Sequence, residues 1–188
     1  MRVIKFLLLS SFFILSIDIA LAAERKHVII PQLGVYELNS GSTGGYTYDT
    51  KSDQVFSFDY ERRFTNGITI GAELMHFKNS NIQTPSAGDL EANVFFFNAK
   101  YYFNFKPNAR FRPFIGLGHG YAFGETKYED GGGIAYQGIA GIAYEWDRVG
   151  MYFQYKRMHS KMKLKFIFTE YEYDISGQGF FSGVSVKF

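Results

Sequence analysis

The stretch MHSK sets a histidine beside a serine, His159 and Ser160, late in a chain of 188 residues. An imidazole within reach of a hydroxyl is the pairing that activates a serine nucleophile. Neighbours on a strand point to opposite faces, however, so on a strand this pair cannot meet. The other histidines offer less. His119 lies in GLGHGY, while His27 and His76 stand at segment ends, and none is spaced from carboxylates as metal ligands are. No catalytic, metal or cofactor site is therefore expected. Gly116, Gly118 and Gly120 suggest a phosphate loop, but neither a Gly-Lys-Ser/Thr nor a helix pattern follows. On a strand such glycines make room for bulky neighbours, here expected to be Phe96 and Tyr102. What remains is a set of charges: Glu73, Lys100, Glu145 and Lys156, accompanied by Asp59, Glu61 and Arg63.

Alternation is what positions them. In QVFSFDYERRF, Phe56, Phe58, Tyr60 and Phe64 share one parity, and Ser57, Asp59, Glu61 and Arg63 share the other. Such period-two patterning marks strands. It recurs in eight segments, about 27–39, 51–64, 67–78, 91–105, 111–123, 133–146, 149–162 and 173–188. Most of them meet the roughly 9–11 residues that a tilted membrane strand needs. Tight turns at Thr65–Gly67, Lys106–Arg110 and Asp147–Arg148 alternate with longer polar links. The link near Lys163 to Tyr171 is the exception, and it reads as a hairpin that continues beyond the membrane. Strict short–long alternation is a property of membrane barrels and not of sandwiches. Aromatics gather at the segment ends, with Phe64, Phe105, Phe111 and Trp146 beside the short turns. Phe77, Tyr121, Phe123, Tyr128 and Tyr171 stand near the long links, as two boundary girdles would require.

Composition agrees. Aromatic residues make up 19% of the chain, with Phe 21 and Tyr 14, which suits strands more than helices. The formal net charge of +2 gives no reason to expect nucleic acid as a partner. There is no cysteine, so disulfides and thiolate metal sites are excluded. Residues 1–22 read as a signal peptide: Arg2 and Lys5, then the apolar Phe6–Ile17, then Ala20-Leu21-Ala22. Residues 23–188 form the expected domain, an all-β, eight-stranded antiparallel up-and-down transmembrane β-barrel. Its apolar faces meet lipid and its charges point inward. Glu73 and Lys100 then fall on neighbouring strands, as do Glu145 and Lys156. A lumen eight strands wide is filled by side chains, so a structural plug is expected, with a small-solute pore as the alternative.

RPFIGLGHGYAFG, GGIAYQGIAGIAYEWDRVGMYFQYKR and YDISGQGFFSGVSVKF together resemble the second half of small eight-stranded outer-membrane barrels of the opacity-protein and OmpA transmembrane-domain type. That resemblance implies an outer-membrane protein of a Gram-negative bacterium, monomeric, with its longer loops facing outside. It also implies a lumen network of Glu, Lys and Arg that closes the interior. A final strand ending in an aromatic is similar to the signal read by the barrel-assembly machinery, so Val184, Val186 and Phe188 are the expected insertion signal. Outer-membrane lipid is the expected surrounding. Any host or surface ligand would meet the loops through Tyr46, Tyr48, Tyr128, Glu129 and Asp130. Lipid A deacylases, also eight-stranded, resemble the chain in placing a His and a Ser late. Their pair is separated by one residue and shares a face, as His159 and Ser160 do not.

Overall fold

Each alternating segment becomes a strand. The computed structural model describes residues 26–39, 41–43, 46–48, 53–79, 90–103, 110–125, 130–166 and 169–188. The expected signal segment lies outside them, as do Tyr128 and Glu129. The strands are β1 (Lys26–Leu38), β2 (Gly41–Thr43), β3 (Tyr46–Tyr48), β4 (Asp53–Arg63), β5 (Ile68–Asn79), β6 (Leu90–Tyr102), β7 (Phe111–Glu125), β8 (Asp130–Glu145), β9 (Val149–Phe166), β10 (Thr169–Asp174) and β11 (Gly177–Lys187). β1, β4 to β9 and β11 pair in antiparallel sequence, and β11 returns to β1 to close an eight-stranded barrel. Closure gives each of the eight barrel strands a neighbour on both sides, as a hydrocarbon environment requires. β2 and β3 form a separate short hairpin.

The register fixes the barrel's dimensions. One line of paired residues runs Val28, Glu61, Gly71, Asn98, Gly118, Gln137, Met158, Gly177 and back to β1 at Leu38. A circuit therefore climbs from residue 28 to residue 38 of β1. That stagger tilts the strands by about 40° and leaves a lumen narrow enough for side chains to fill.

The outer wall is apolar all the way round. Leu33, Phe56, Leu74, Phe97, Leu117, Ile142, Phe153 and Val184, one from each barrel strand, are exposed. A belt of this kind far exceeds the apolar patches that water-soluble monomers carry. Lipid is the solvent that suits it, and the molecule is a transmembrane β-barrel. At one end, the turn end, Gly67 takes a φ of 85°, the left-handed conformation that favours glycine in so tight a hairpin. The start of β1 and the end of the last strand meet at the same end: His27 N–H donates to Phe188 O at 3.0 Å, and Phe188 N–H donates to His27 O at 2.9 Å. Backbone pairing thus runs to the last residue. The side chains of Val184, Val186 and Phe188 all point outward.

Three sequence expectations change here. Phe77 belongs to no girdle; its side chain is buried in the lumen beside Tyr36, ring centroids 5.7 Å apart. The last strand is not continuous from 173. Instead β10 pairs only with the far end of β9, and the chain breaks at Ile175–Ser176 before β11 begins. The hairpin read beyond the barrel is therefore present, built from a β9 that reaches residue 166. Asp130, expected on a loop, opens β8 opposite Glu125. Tyr46 and Tyr48 lie in β3, the short hairpin at the loop end.

Candidate functional site

The inward faces of the strands build two stacked regions. Toward the loop end, Tyr36, Val55, Met75, Phe77, Val94 and Phe96 are among a fully buried apolar cluster. Below them, toward the turn end, the odd-numbered residues of β4 and β5 and the even-numbered residues of β6 and β9 bring charge inward, set among a second buried apolar cluster that includes Val28, Ile30, Phe114 and Ile139. The lumen is thus polar over only part of its length, which corrects the expectation of a polar interior throughout.

The upper layer of charge centres on Glu73. Lys156 Nζ reaches across the lumen to its Oε1, and Ser57 Oγ donates to the same oxygen at 2.6 Å. Asn98 Nδ2 and Gln137 Nε2 donate to Oε2 at 3.0 and 2.9 Å. Lys156 also donates to Gln32 Oε1 at 3.2 Å, and its ammonium lies 4.3 Å from the centre of the Phe181 ring. Side chains of β1, β4, β5, β6, β8 and β9 are thereby joined through one carboxylate and one ammonium.

The lower layer has two linked centres. Lys100 Nζ donates to Asp59 Oδ2 and, at 2.7 Å, to Glu61 Oε1. Tyr102 Oη lies 3.0 Å from both oxygens of Glu61. Arg63 donates to Glu61 at 3.2 Å and to Glu145 and Tyr152, with its guanidinium 4.6 Å from the Tyr102 ring centre. Glu145 also accepts from Tyr152 Oη at 2.9 Å and from Lys187 Nζ at 3.0 Å, with Arg112 3.4 Å away. Four carboxylates face five cations; Glu61, Glu73 and Glu145 are each multiply bonded, while Asp59 accepts from Lys100 alone and its Oδ1 has no hydrogen-bond partner among the described residues. Every one of these buried carboxylates thus has a cation against it, as buried charge requires.

Glu73, Lys100, Glu145 and Lys156 are all buried in the lumen, but they do not pair as sequence neighbours. Glu73 meets Lys156 across the barrel, Lys100 meets Asp59 and Glu61, and Glu145 meets Arg63 and Lys187. The glycines of β7 make the room: Phe96 stands opposite Gly120, where a Cβ would lie 2.9 Å from the Phe96 Cα, whereas Tyr102 stands opposite Phe114 and not a glycine. A Cβ on Gly118 would stand 2.2 Å from Asn98 Oδ1 and 2.7 Å from Gln137 Cγ. One on Gly116 would stand 2.8 Å from Lys100 Cγ. Gly116 and Gly118 therefore seat the polar side chains that bind Glu73, Asp59 and Glu61.

His159 faces outward and Ser160 inward, so the two do not meet. His159 bonds instead to Ser176, Nδ1 to Oγ 2.9 Å, across the break between β10 and β11. That hydroxyl is buried and also accepts the Ser160 N–H at 3.1 Å. The Ser176 N–H is held by Asp174 Oδ1 at 2.8 Å. The contact ties the base of the hairpin to the barrel rim. The alternation break in YDISGQG was the only sequence signal for Ser176. His27 stacks on Tyr60 and Phe188, and His76 bonds Asn93 at 3.0 Å. Among the described residues no group of three His, Cys, Asp or Glu could hold a metal ion.

No family model matches the chain, and no curated protein matches its sequence. Solved structures do match its fold. Neisserial surface protein A aligns over 88% of this chain and 100% of its own, with a TM-score of 0.61 at 14% identity. OprG from Pseudomonas aeruginosa aligns over 87% and 95%, with a TM-score of 0.65 at 14% identity. Ail, the attachment invasion locus protein of Yersinia pestis, solved with the heparin analogue sucrose octasulfate, aligns over 88% and 100% with a TM-score of 0.52 at 13% identity. Identities so low establish a shared fold, that of the small eight-stranded outer-membrane barrels.

Proposed function

We propose that the chain is an integral outer-membrane protein with a closed lumen, working as a structural and surface-interaction barrel and not as a pore or an enzyme. The observation that carries this reading is the Glu73 centre, where side chains from six strands meet across the lumen beneath a packed apolar cluster. A passage for solute would have to break both. Function then falls to the loop end, since loops held on a rigid scaffold carry variable chemistry. The longer connections face the cell exterior, with Tyr46, Tyr48, Tyr128, Glu129 and Asp130 as contacts for a host or surface ligand. The names of two fold neighbours, a surface protein and an attachment protein, accord with that role. During biogenesis, Val184, Val186 and Phe188 are read by the barrel-assembly machinery, and the folded protein is a monomer in outer-membrane lipid.

Planar-bilayer recording of the purified barrel tests the closed lumen. The expected trace shows no unitary steps above bare-bilayer leak. Reproducible steps whose size changes with Lys100→Gln or Glu145→Gln would establish the pore instead. Deleting 41–48 and 126–131 tests the surface role: folding should survive, read as a heat-dependent shift on a detergent gel, while adhesion of expressing cells is lost. Adhesion that persists would remove these loops from the proposal.

A further inference from the structure

The outer wall carries a second feature that the lumen does not explain. A groove of about 1230 Å³ crosses it from β4 to β9. Its volume exceeds the roughly 300–1,000 Å³ of ordinary small-molecule pockets. Six strands about 4.8 Å apart give it a length of roughly 24 Å. Because the register climbs around the barrel, the groove does not girdle the wall. It rises obliquely from Arg62, near the turn end, to Arg157, near the loop end. Ala72 and Ala99 contribute small side chains to its lining and Gly138 none, among the larger Phe97, Leu117 and Tyr136.

Two observations at the upper end say what the groove holds. A Cβ built on Gly138 meets nothing within 4 Å, so the space beside this residue is open, and its backbone imposes no need for glycine. Directly opposite Gly138 in the register stands Arg157, exposed on the same face. Among the described residues the Arg157 side chain has no hydrogen bond or ion pair, whereas that of Lys161, next on this face after His159, is bonded to Glu172 at 2.9 Å. The outward carboxylate along the same register line is Glu37, two strands away beyond Gln178. A guanidinium at the head of an apolar groove matches an anionic headgroup whose tail continues down the groove. Its planar fork suits phosphate oxygens in particular.

We propose that this groove binds an acyl chain of an anionic, phosphate-bearing lipid from the leaflet at the loop end, with Arg157 on the phosphate. The proposal rests on the membrane placement argued above. The test is native mass spectrometry of the folded barrel in detergent micelles, titrated with dimyristoylphosphatidylglycerol or dimyristoylphosphatidylcholine. The protein should retain the anionic lipid at least about tenfold better. Arg157→Gln should bring the two lipids level, Gly138→Phe should lose both, and Lys161→Gln should change neither. Millimolar inorganic phosphate should not displace the lipid, because the chain supplies much of the binding. Equal retention of both lipids by the native protein, or unchanged discrimination in Arg157→Gln, would overturn the proposal. If Gly138→Phe fails to fold, Gly138→Leu takes its place. A native protein that never folds in micelles would instead count against the membrane placement itself.

Discussion

Side chains fill the lumen in two ways. Near the loop end Met75, Phe77, Val94 and Phe96 fill it with side chains that need only fit. Nearer the turn end, among a smaller apolar cluster that includes Ile30 and Ile139, it holds ions that need particular partners, such as Lys156 on Glu73 and Lys100 on Asp59 and Glu61. Packing tolerates exchange of one apolar side chain for another of like volume. A buried ion pair does not tolerate loss of one member, because the survivor stays charged and unsatisfied. The apolar half should therefore respond to volume, and the ionic half to pairing.

The sharpest break in that contrast comes from Lys156→Met. It keeps the bulk over Phe181 but leaves Glu73 without its cation, and it should destabilise the folded barrel by about 3–5 kcal/mol. Adding Glu73→Gln to it should recover most of the loss, since the stranded charge is then gone. Urea unfolding in lipid vesicles, single against double variant, reads the difference. In the apolar half Met75→Ala should cost about 2–5 kcal/mol through the cavity it leaves. No second substitution in the ionic half should repair it. Tyr102→Phe falls between the two kinds: it keeps the ring beside Phe114 and removes the hydroxyl that bonds Glu61. A loss of about 1.5–3 kcal/mol is expected, the range for a hydrogen bond to a charged group.

The two halves also differ in how much of each could be read from sequence. Parity alone assigned Ser57, Asp59 and Glu61 to one face and Phe56 and Phe58 to the other, since β4 alternates from Gln54 to Glu61. Parity would equally have placed Phe77 inside, three residues on from the outward Leu74. Its position beside a long link suggested a boundary aromatic instead. The ion pairs were not legible at all. Lys156 and Glu73 lie 83 residues apart and meet across the lumen, so their contact depends on the stagger of the closed barrel. No local pattern encodes that stagger. His159 and Ser176, 17 residues apart, meet only because the chain breaks between β10 and β11. The groove was hidden for a similar reason: Ala72, Ala99 and Gly138 are unremarkable small residues until the register lines them up across the wall.

The smallest expected effect lies where the ionic half meets solvent, on one carboxylate with two different arginines. Glu145 is bonded by Arg63, whose side chain is 10% exposed, and approached at 3.4 Å by Arg112, whose side chain is 32% exposed. If pairing matters because water is excluded, then only the first should matter much. Arg112→Gln should cost under about 1 kcal/mol, as exposed ion pairs do, and that cost should shrink as salt is raised. Lys187, 3.0 Å from the same oxygen that faces Arg112, remains to satisfy it. Arg63→Gln removes donors to Glu61, Glu145 and Tyr152 together, and salt reaches that site poorly. Its cost should be several-fold greater and nearly independent of salt. Equal costs for the two arginines in the same unfolding assay would mean that burial is not what separates the ionic half from its rim.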